Sequence, residues 1–362
     1  MSVEIDAAAN SWGRLRGSGH KPGALVVGSH LDTVPNGGAY DGALGVLMAL
    51  ELARTIRENR IVLDHDLEVV SFTGEEPNDF RVSTIGSRSF SGKLTPEDLE
   101  DVEDGSGVLL AEAIKAEGGG LARFPEMRRK HAEKVAFLEL HIEQGKRLER
   151  MDVPIAAVDG IVGIYREHVV VTGSSNHAGT TMMEERQDAL MAAAEMGLAV
   201  EEACRMRAGD SVGTVGQLQV HPNAANIVPG SVEFIMELRH RQSKEIRDLR
   251  TDIHGNWSGI ARRRGVSFSS ETILDQHPVH MDADIVDMLE QAARGRGWPA
   301  VTMPSMAGHD ASHMASITRT AMLFVRSIDG RSHCPEEYTE AGDIEAAGNV
   351  MLDALRRMDR DL

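Results

Sequence analysis

Four short polar clusters carry the residue types that hold divalent ions and move protons. Ser29-His30-Leu31-Asp32 is followed by Asp41, eleven residues after His30, and then by Gly74-Glu75-Glu76, His141-Ile142-Glu143-Gln144-Gly145 and Gly330-Arg331-Ser332-His333. Singly, each reads as ordinary capping or solvated surface, because a histidine at a strand end or a pair of glutamates is common without chemistry. Jointly they read differently. Imidazoles and carboxylates brought to one place suit borderline-soft divalent ions such as zinc, manganese or cobalt. Two adjacent glutamates in a dry cleft repel each other, and one bound to metal with the other shuttling a proton resolves the conflict. Asp32, two residues beyond His30, suits a carboxylate that fixes an imidazole tautomer.

The first three clusters follow apolar runs expected to be strands: Gly23–Ser29, Leu67–Phe72 and Val135–Leu140. Ala43–Ile56 has helical spacing, so strand, loop and helix repeat as in an α/β sheet covered on both faces. Such sheets place chemistry in loops at the carboxyl ends of strands. The tract 93–130 is charged and Gly-containing, and is expected to supply exposed helices and loops. From 163 to 268 the pattern changes to alternating strands (His168–Thr172, Gly213–Val220, Ser231–Leu238) with helices at Asp188–Glu202 and Ser243–Arg264. That implies an inserted α+β module with an antiparallel sheet. A helical segment 284–294, a Gly-containing loop Ser305–Gly308, a strand Ala321–Val325 and a helix near 343–358 follow, so the outer domain spans 1–162 and 269–362 around the insert.

Composition bounds the partners. The 362 residues are 41% hydrophobic and 26% charged, which is ordinary globular chemistry with room for two cores. With 38 Lys and Arg against 56 Asp and Glu, the formal net charge is −18, so nucleic acid is disfavoured and a bound cation is natural. No apolar run reaches the roughly 18 residues of a membrane span, and residues 1–17 lack a signal-peptide core. Only Cys204 and Cys334 occur, so a reducing cytoplasm is expected.

The chain resembles the metal-dependent M20 amidohydrolases, in the branch of N-carbamoyl-L-amino acid hydrolases, β-ureidopropionases and allantoate amidohydrolases. The resemblance runs nearly the full length, through GSHLDTVPNGGAYDG, GEEPNDF with IGSR, LELHIEQG, NHAGTT, PNAANIVPG with ELRH, MPSMAGHDA and GRSHCPEE. HIEQG discriminates best, because peptidase and acylase relatives usually carry a carboxylate ligand there. The resemblance implies a zinc-exopeptidase-like catalytic domain, with a mixed sheet flanked by helices, and an inserted lid and dimerisation domain on a four-stranded antiparallel sheet. It implies two divalent ions: His30, Asp41 and His141 hold one, and Asp41, Glu76 and His333 the other, with Asp41 bridging. Glu75 is then the general base, and His177 reaches the partner subunit's site in a homodimer to stabilise an oxyanion. Asn226 and Arg239 match substrate-binding residues, with Arg239 clamping a carboxylate; Gln144, Gln217 and Gly308 are further candidates. The implied substrate is a small anionic ureido acid, either an N-carbamoyl-L-amino acid or, alternatively, allantoate or N-carbamoyl-β-alanine.

Three departures from the pattern carry expectations of their own. Members usually have several tens of mostly helical residues before the first strand, so either the start is set late or one flank of the sheet is bare and exposes apolar surface. Met182-Met183 replace a usual proline and methionine, so the loop bearing His177 is expected to be less rigid. Met306 and Arg326 stand in loops usually built otherwise, and Met306 is expected to add bulk beside the substrate. His309-Asp310 is expected to order the Gly308 loop.

Overall fold

The computed structural model describes residues 1–207 and 209–362. Along the chain, β1 (Ser2–Ile5), β2 (Ser11–Leu15) and β3 (Ala24–His30) lead into α1 (Ala43–Glu58) and β4 (Asp66–Phe72). Three short helices, α2 (Ile85–Ser91), α3 (Leu110–Ala116) and α4 (Phe124–Arg129), precede β5 (Lys134–Ile142), α5 (Arg147–Met151) and β6 (Ile155–Ile161). Then come β7 (Gly163–Thr172), β8 (Asn176–His177), α6 (Ala189–Met206), β9 (Val212–His221), β10 (Ile227–Val228), β11 (Ser231–His240), α7 (Ser243–Arg264) and β12 (Ser267–Gln276). The chain closes with β13 (Val279–His280), α8 (Ala283–Gly295), β14 (Thr302–Ser305), α9 (Ala311–Met314), β15 (Arg319–Val325) and α10 (Ala341–Asp361).

The chain divides into two units, Met1–Ile161 with His280–Leu362, and Val162–Val279. The first holds a mixed sheet in the order β1-β2-β4-β3-β5-β15-β6-β13, with β14 also on β6. Strands β4, β3, β5 and β15 run parallel to one another. Their apolar runs are continuous because both faces are covered: β3 is buried at every position. On one face Leu44, Met48 and Leu52 of α1 meet Ile285 and Leu289 of α8 and Met351 and Leu355 of α10 over Leu25, Leu67 and Leu138. Each such side chain contributes about 1.5–3 kcal/mol on full burial.

The second unit is a four-stranded antiparallel sheet, β12-β7-β11-β9. Here burial alternates strictly along β11, because only one face is packed. That face meets α6 and α7 through Val232, Phe234, Met236, Met196, Leu249 and Trp257. Asp188 caps α6 by accepting from the Leu190 and Met191 amides.

One expectation is corrected. The return to the first unit falls later than position 269, because Ser267–Gln276 is a strand paired with β7 and stays with the second unit. Residues 1–22 supply two strands at that flank, β1 on β2 and β2 on β4, and Val3 of the edge strand β1 is 74% exposed. As expected, the tract 93–130 is short helices and loops that are mostly exposed, and the buried Leu94, Leu99, Leu110, Ile114, Phe124 and Met127 anchor it.

Candidate metal centre

The carboxyl ends of β3, β4, β5 and β15 share one rim, and each strand leads to a chemically active side chain there. His30 closes β3, Glu75 and Glu76 follow β4, His141 lies one residue before the end of β5, and His333 follows β15. Asp41 stands between them just before α1. Its Oδ1 is 3.5 Å from His30 Nε2 and 3.2 Å from His141 Nε2; its Oδ2 is 3.4 Å from His333 Nε2, which is 3.1 Å from Glu76 Oε1. Donor atoms about 2.1 Å from a tetrahedral ion stand about 3.4 Å apart, so these spacings fit ligands around ions. Two sets result, His30–Asp41–His141 and Asp41–Glu76–His333, with Asp41 shared.

The local backbone aims the donors. His30 Nδ1 lies 2.9 Å from the Asp32 carbonyl and His141 Nδ1 lies 3.0 Å from the Ile142 carbonyl. Each Nδ1–H donates there, which leaves the Nε2 lone pair for a metal. Asp32 thus fixes the His30 tautomer, but through its carbonyl. Its carboxylate, 3.7 Å from Nδ1, instead accepts from the Glu75 and Glu76 amides. That corrects the expected contact. Gly42, at φ 63°, lies so close to the His30 ring that a Cβ would fall 2.2–2.4 Å from three ring atoms. His333 and Gln144 hold φ of 58°, unusual for residues with a Cβ.

Burial pushes the Asp41 carboxyl up, but the hydrogen bond and charge of His141, with His30 and Ser332, outweigh it and hold Asp41 far below the usual range. Burial pulls His141 down, yet Asp41 wins and pushes it up to about 9. Burial, then the charges of Asp310, Glu76 and Glu139, raises Glu75 well above an ordinary glutamate. Burial and Asp41 also raise Glu76. Glu75 Oε2 lies 3.9 Å from His30 Nε2, beside the first ligand set. Buried His309 packs on His141 with ring centroids 4.4 Å apart and bonds Ser305 Oγ at 2.7 Å.

Gln144 belongs to this cluster. Its Nε2 donates to Asp41 Oδ2 at 2.7 Å, while its Oε1 is buried with no hydrogen-bond partner among the described residues. Gly308 is exposed, and a Cβ there would meet nothing within 4 Å, so the protein leaves room around it. Two contributors carried no assigned role in the sequence. Glu337 accepts from the Tyr40 and Asp41 amides, and Ser332 Oγ lies 2.9 Å from both Asp41 Oδ2 and Glu337 Oε2. A glutamate four residues after His333 gives no spacing signal that it points inward. Arg326 pairs with Asp343 and Asp152, so its guanidinium is committed to ion pairs.

The other candidates lie in the second unit. His177 pairs with Ile227 in the β8–β10 ladder, next to Asn226, whose carbonyl accepts from the Ala178 amide. The Gly179 amide donates to His177 Nδ1, which places the ring proton on Nε2. Thr181 Oγ1 donates to the His177 carbonyl, and Arg186 donates to the Ala178 and Thr181 carbonyls. These bonds tie together the loop that carries Met182 and Met183. Arg239 Nε donates to Glu237 Oε1 at 2.6 Å, and Gln217 is exposed on β9, opposite Ile235.

Residues 26–357 match the family described as Peptidase family M20/M25/M40. An N-carbamoyl-L-amino acid amidohydrolase of Geobacillus stearothermophilus is 41% identical over 97% of this chain and 85% of its own length. An allantoate amidohydrolase of Bacillus subtilis is 34% identical over 99% of this chain and 86% of its own. Among solved structures, a hydantoinase/carbamoylase family amidase from Burkholderia ambifaria superposes with a TM-score of 0.90 at 33% identity, covering 99% of this chain and 86% of that one.

Proposed function

The chain belongs to peptidase family M20, and from that premise we propose that it hydrolyses the terminal ureido group of an N-carbamoyl-L-amino acid, giving the amino acid, carbon dioxide and ammonia. It is a hydrolase of C–N bonds other than peptide bonds, as its amidohydrolase relatives are named. The observation that carries the proposal is Asp41 shared between two ligand sets at metal-like spacing, with Glu75, its side chain 11% exposed, beside them. The donors, imidazole Nε2 and carboxylate oxygen, suit two divalent ions of zinc, manganese or cobalt. When bound, such ions supply Lewis-acid polarisation of a water and of the substrate carbonyl.

The chain's own residues do the rest. Glu75, whose proton affinity is raised by burial and neighbouring charge, takes a proton from the attacking water and passes it to the leaving nitrogen. His177, with its proton on Nε2, is a donor suited to a developing oxyanion. Arg239 clamps the substrate carboxylate, with Asn226, Gln144, Gln217 and the Gly308 amide as further contacts. A homodimer, in which His177 serves the partner's site, is consistent with β9 as a sheet edge exposing Val212 and Leu218. Allantoate is the second reading, favoured by the Bacillus subtilis relative.

The test is turnover by metal-restored protein of N-carbamoyl-L-amino acids, N-carbamoyl-β-alanine, allantoate and ureidoglycolate, with Glu75→Gln as control. The expected result is preference for an N-carbamoyl-L-amino acid, a loss of about 10²–10⁴ in kcat for Glu75→Gln, and unchanged metal content in that variant. Activity confined to allantoate would select the second reading, and activity on none would refute both.

A further inference from the structure

Asp41 Oδ2 has two lone-pair directions, and both have donors: Gln144 Nε2 at 2.7 Å and Ser332 Oγ at 2.9 Å. An ion held by Asp41, Glu76 and His333 needs one of those directions, so one donor has to leave. The two differ in what else they can reach. The alternative acceptor for Gln144 Nε2 is the neutral Ser332 hydroxyl at 3.3 Å, whereas Ser332 has a second carboxylate oxygen, Glu337 Oε2, at 2.9 Å. Ser332 carries a single hydroxyl proton, so it serves one carboxylate at a time. Glu337 is itself buried and held in place, with Oε1 accepting from the Tyr40 and Asp41 amides at 2.9 Å.

We propose that Ser332 and Glu337 form a hydrogen-bond exchange that opens Asp41 Oδ2 to the second ion: the Ser332 hydroxyl bonds Asp41 when that ion is absent, and swings away to bond Glu337 alone when it is present. Both are positioning residues acting through Asp41, and the proposal rests on the reading of Asp41, Glu76 and His333 as an ion site. Because the hydroxyl has a second charged acceptor already at 2.9 Å, its proton stays bonded when it releases Oδ2, and the release costs little. Removing the second acceptor makes the exchange costly. In Glu337→Gln, the side-chain oxygen still accepts the two amides, and the NH₂ group then faces Ser332 and offers it no acceptor.

The experiment is titration of the metal-free full-length protein with zinc or manganese by calorimetry and competition with a chelator. Glu337→Gln, Ser332→Ala and the double variant are measured alongside, with thermal unfolding as a check on folding. Glu337→Gln is expected to weaken the second ion by about 10–100-fold, the range for partners that orient ligands, and the first ion by less than about threefold. Ser332→Ala is expected to leave the second ion within about threefold of wild type. The double variant is expected to match Ser332→Ala, since with no hydroxyl to re-home the Glu337 charge loses its effect. A Glu337→Gln defect that persists undiminished in the double variant, falls equally on both ions or is absent overturns the exchange. Wild-type protein that binds no second ion instead overturns the site reading on which it rests.

Discussion

Without an ion, Asp41 keeps a proton on His141; with one, that proton has to leave. Asp41 outweighs the effect of burial and pushes His141 up to about 9, so at neutral pH the ion-free ring is largely protonated. A histidine ligand binds as neutral imidazole, so loading the first set displaces about one proton, and apparent affinity rises roughly tenfold per pH unit until His141 is deprotonated. The pH window follows from the sign of the shift. A raised folded-state value stabilises the ion-free protein fully below the ordinary histidine range, and that contribution fades as pH rises through about 9. Calorimetric titration of the metal-free protein in buffers of different ionisation enthalpy checks this. Enthalpies that do not depend on the buffer would show that no proton is released and would remove the Asp41–His141 pairing from the account of affinity.

At the scale of elements, parallel strands and the turns that leave them decide which side chains meet. Gly42 shows how tight that turn is, since a Cβ would sit 2.2–2.4 Å from the His30 ring at a φ of 63°. Gly42→Ala is expected to cost more than the about 1–2 kcal/mol of left-handed strain alone, because the His30 ring has to shift as well. First-ion affinity is expected to fall by at least about tenfold with it. Gly342→Ala, in α10 with open space around it, is the neutral control, and thermal unfolding with metal titration reads both. An affinity equal to wild type in Gly42→Ala would show that the turn can relax without moving the ligand. These strands were legible in the sequence where both faces are buried, because β3, β4 and β5 are near-continuous apolar runs ending in polar clusters. Ser267–Gln276 was not, because it is a mostly exposed edge strand whose polar residues hide any periodicity. The ligand types were legible from clusters, whereas Glu337 and the carboxylate of Asp32 act on main-chain amides, a role that residue spacing does not encode.

At the scale of the whole molecule, a net charge of −18 sets a field that disfavours anions, so the proposed anionic substrate would depend on local cations, the role proposed for Arg239. The proposed sharing of His177 between subunits gives a sharp expectation. His177→Ala subunits mixed with Glu75→Ala subunits form some dimers with one intact site, so activity is expected to recover to about a quarter of wild type under random pairing. No recovery in verified mixed dimers would mean that each site is complete within one chain. Strand order carries a consequence for synthesis. β15 lies between β5 and β6, yet it is made after the whole of Val162–Val279. On the ribosome, the second unit is a contiguous stretch free to fold as it emerges, while β5 and β6 wait for a neighbour still to be translated. His333 emerges later still, so a nascent chain owns His30, Asp41 and His141 long before it has the last ligand of the second set.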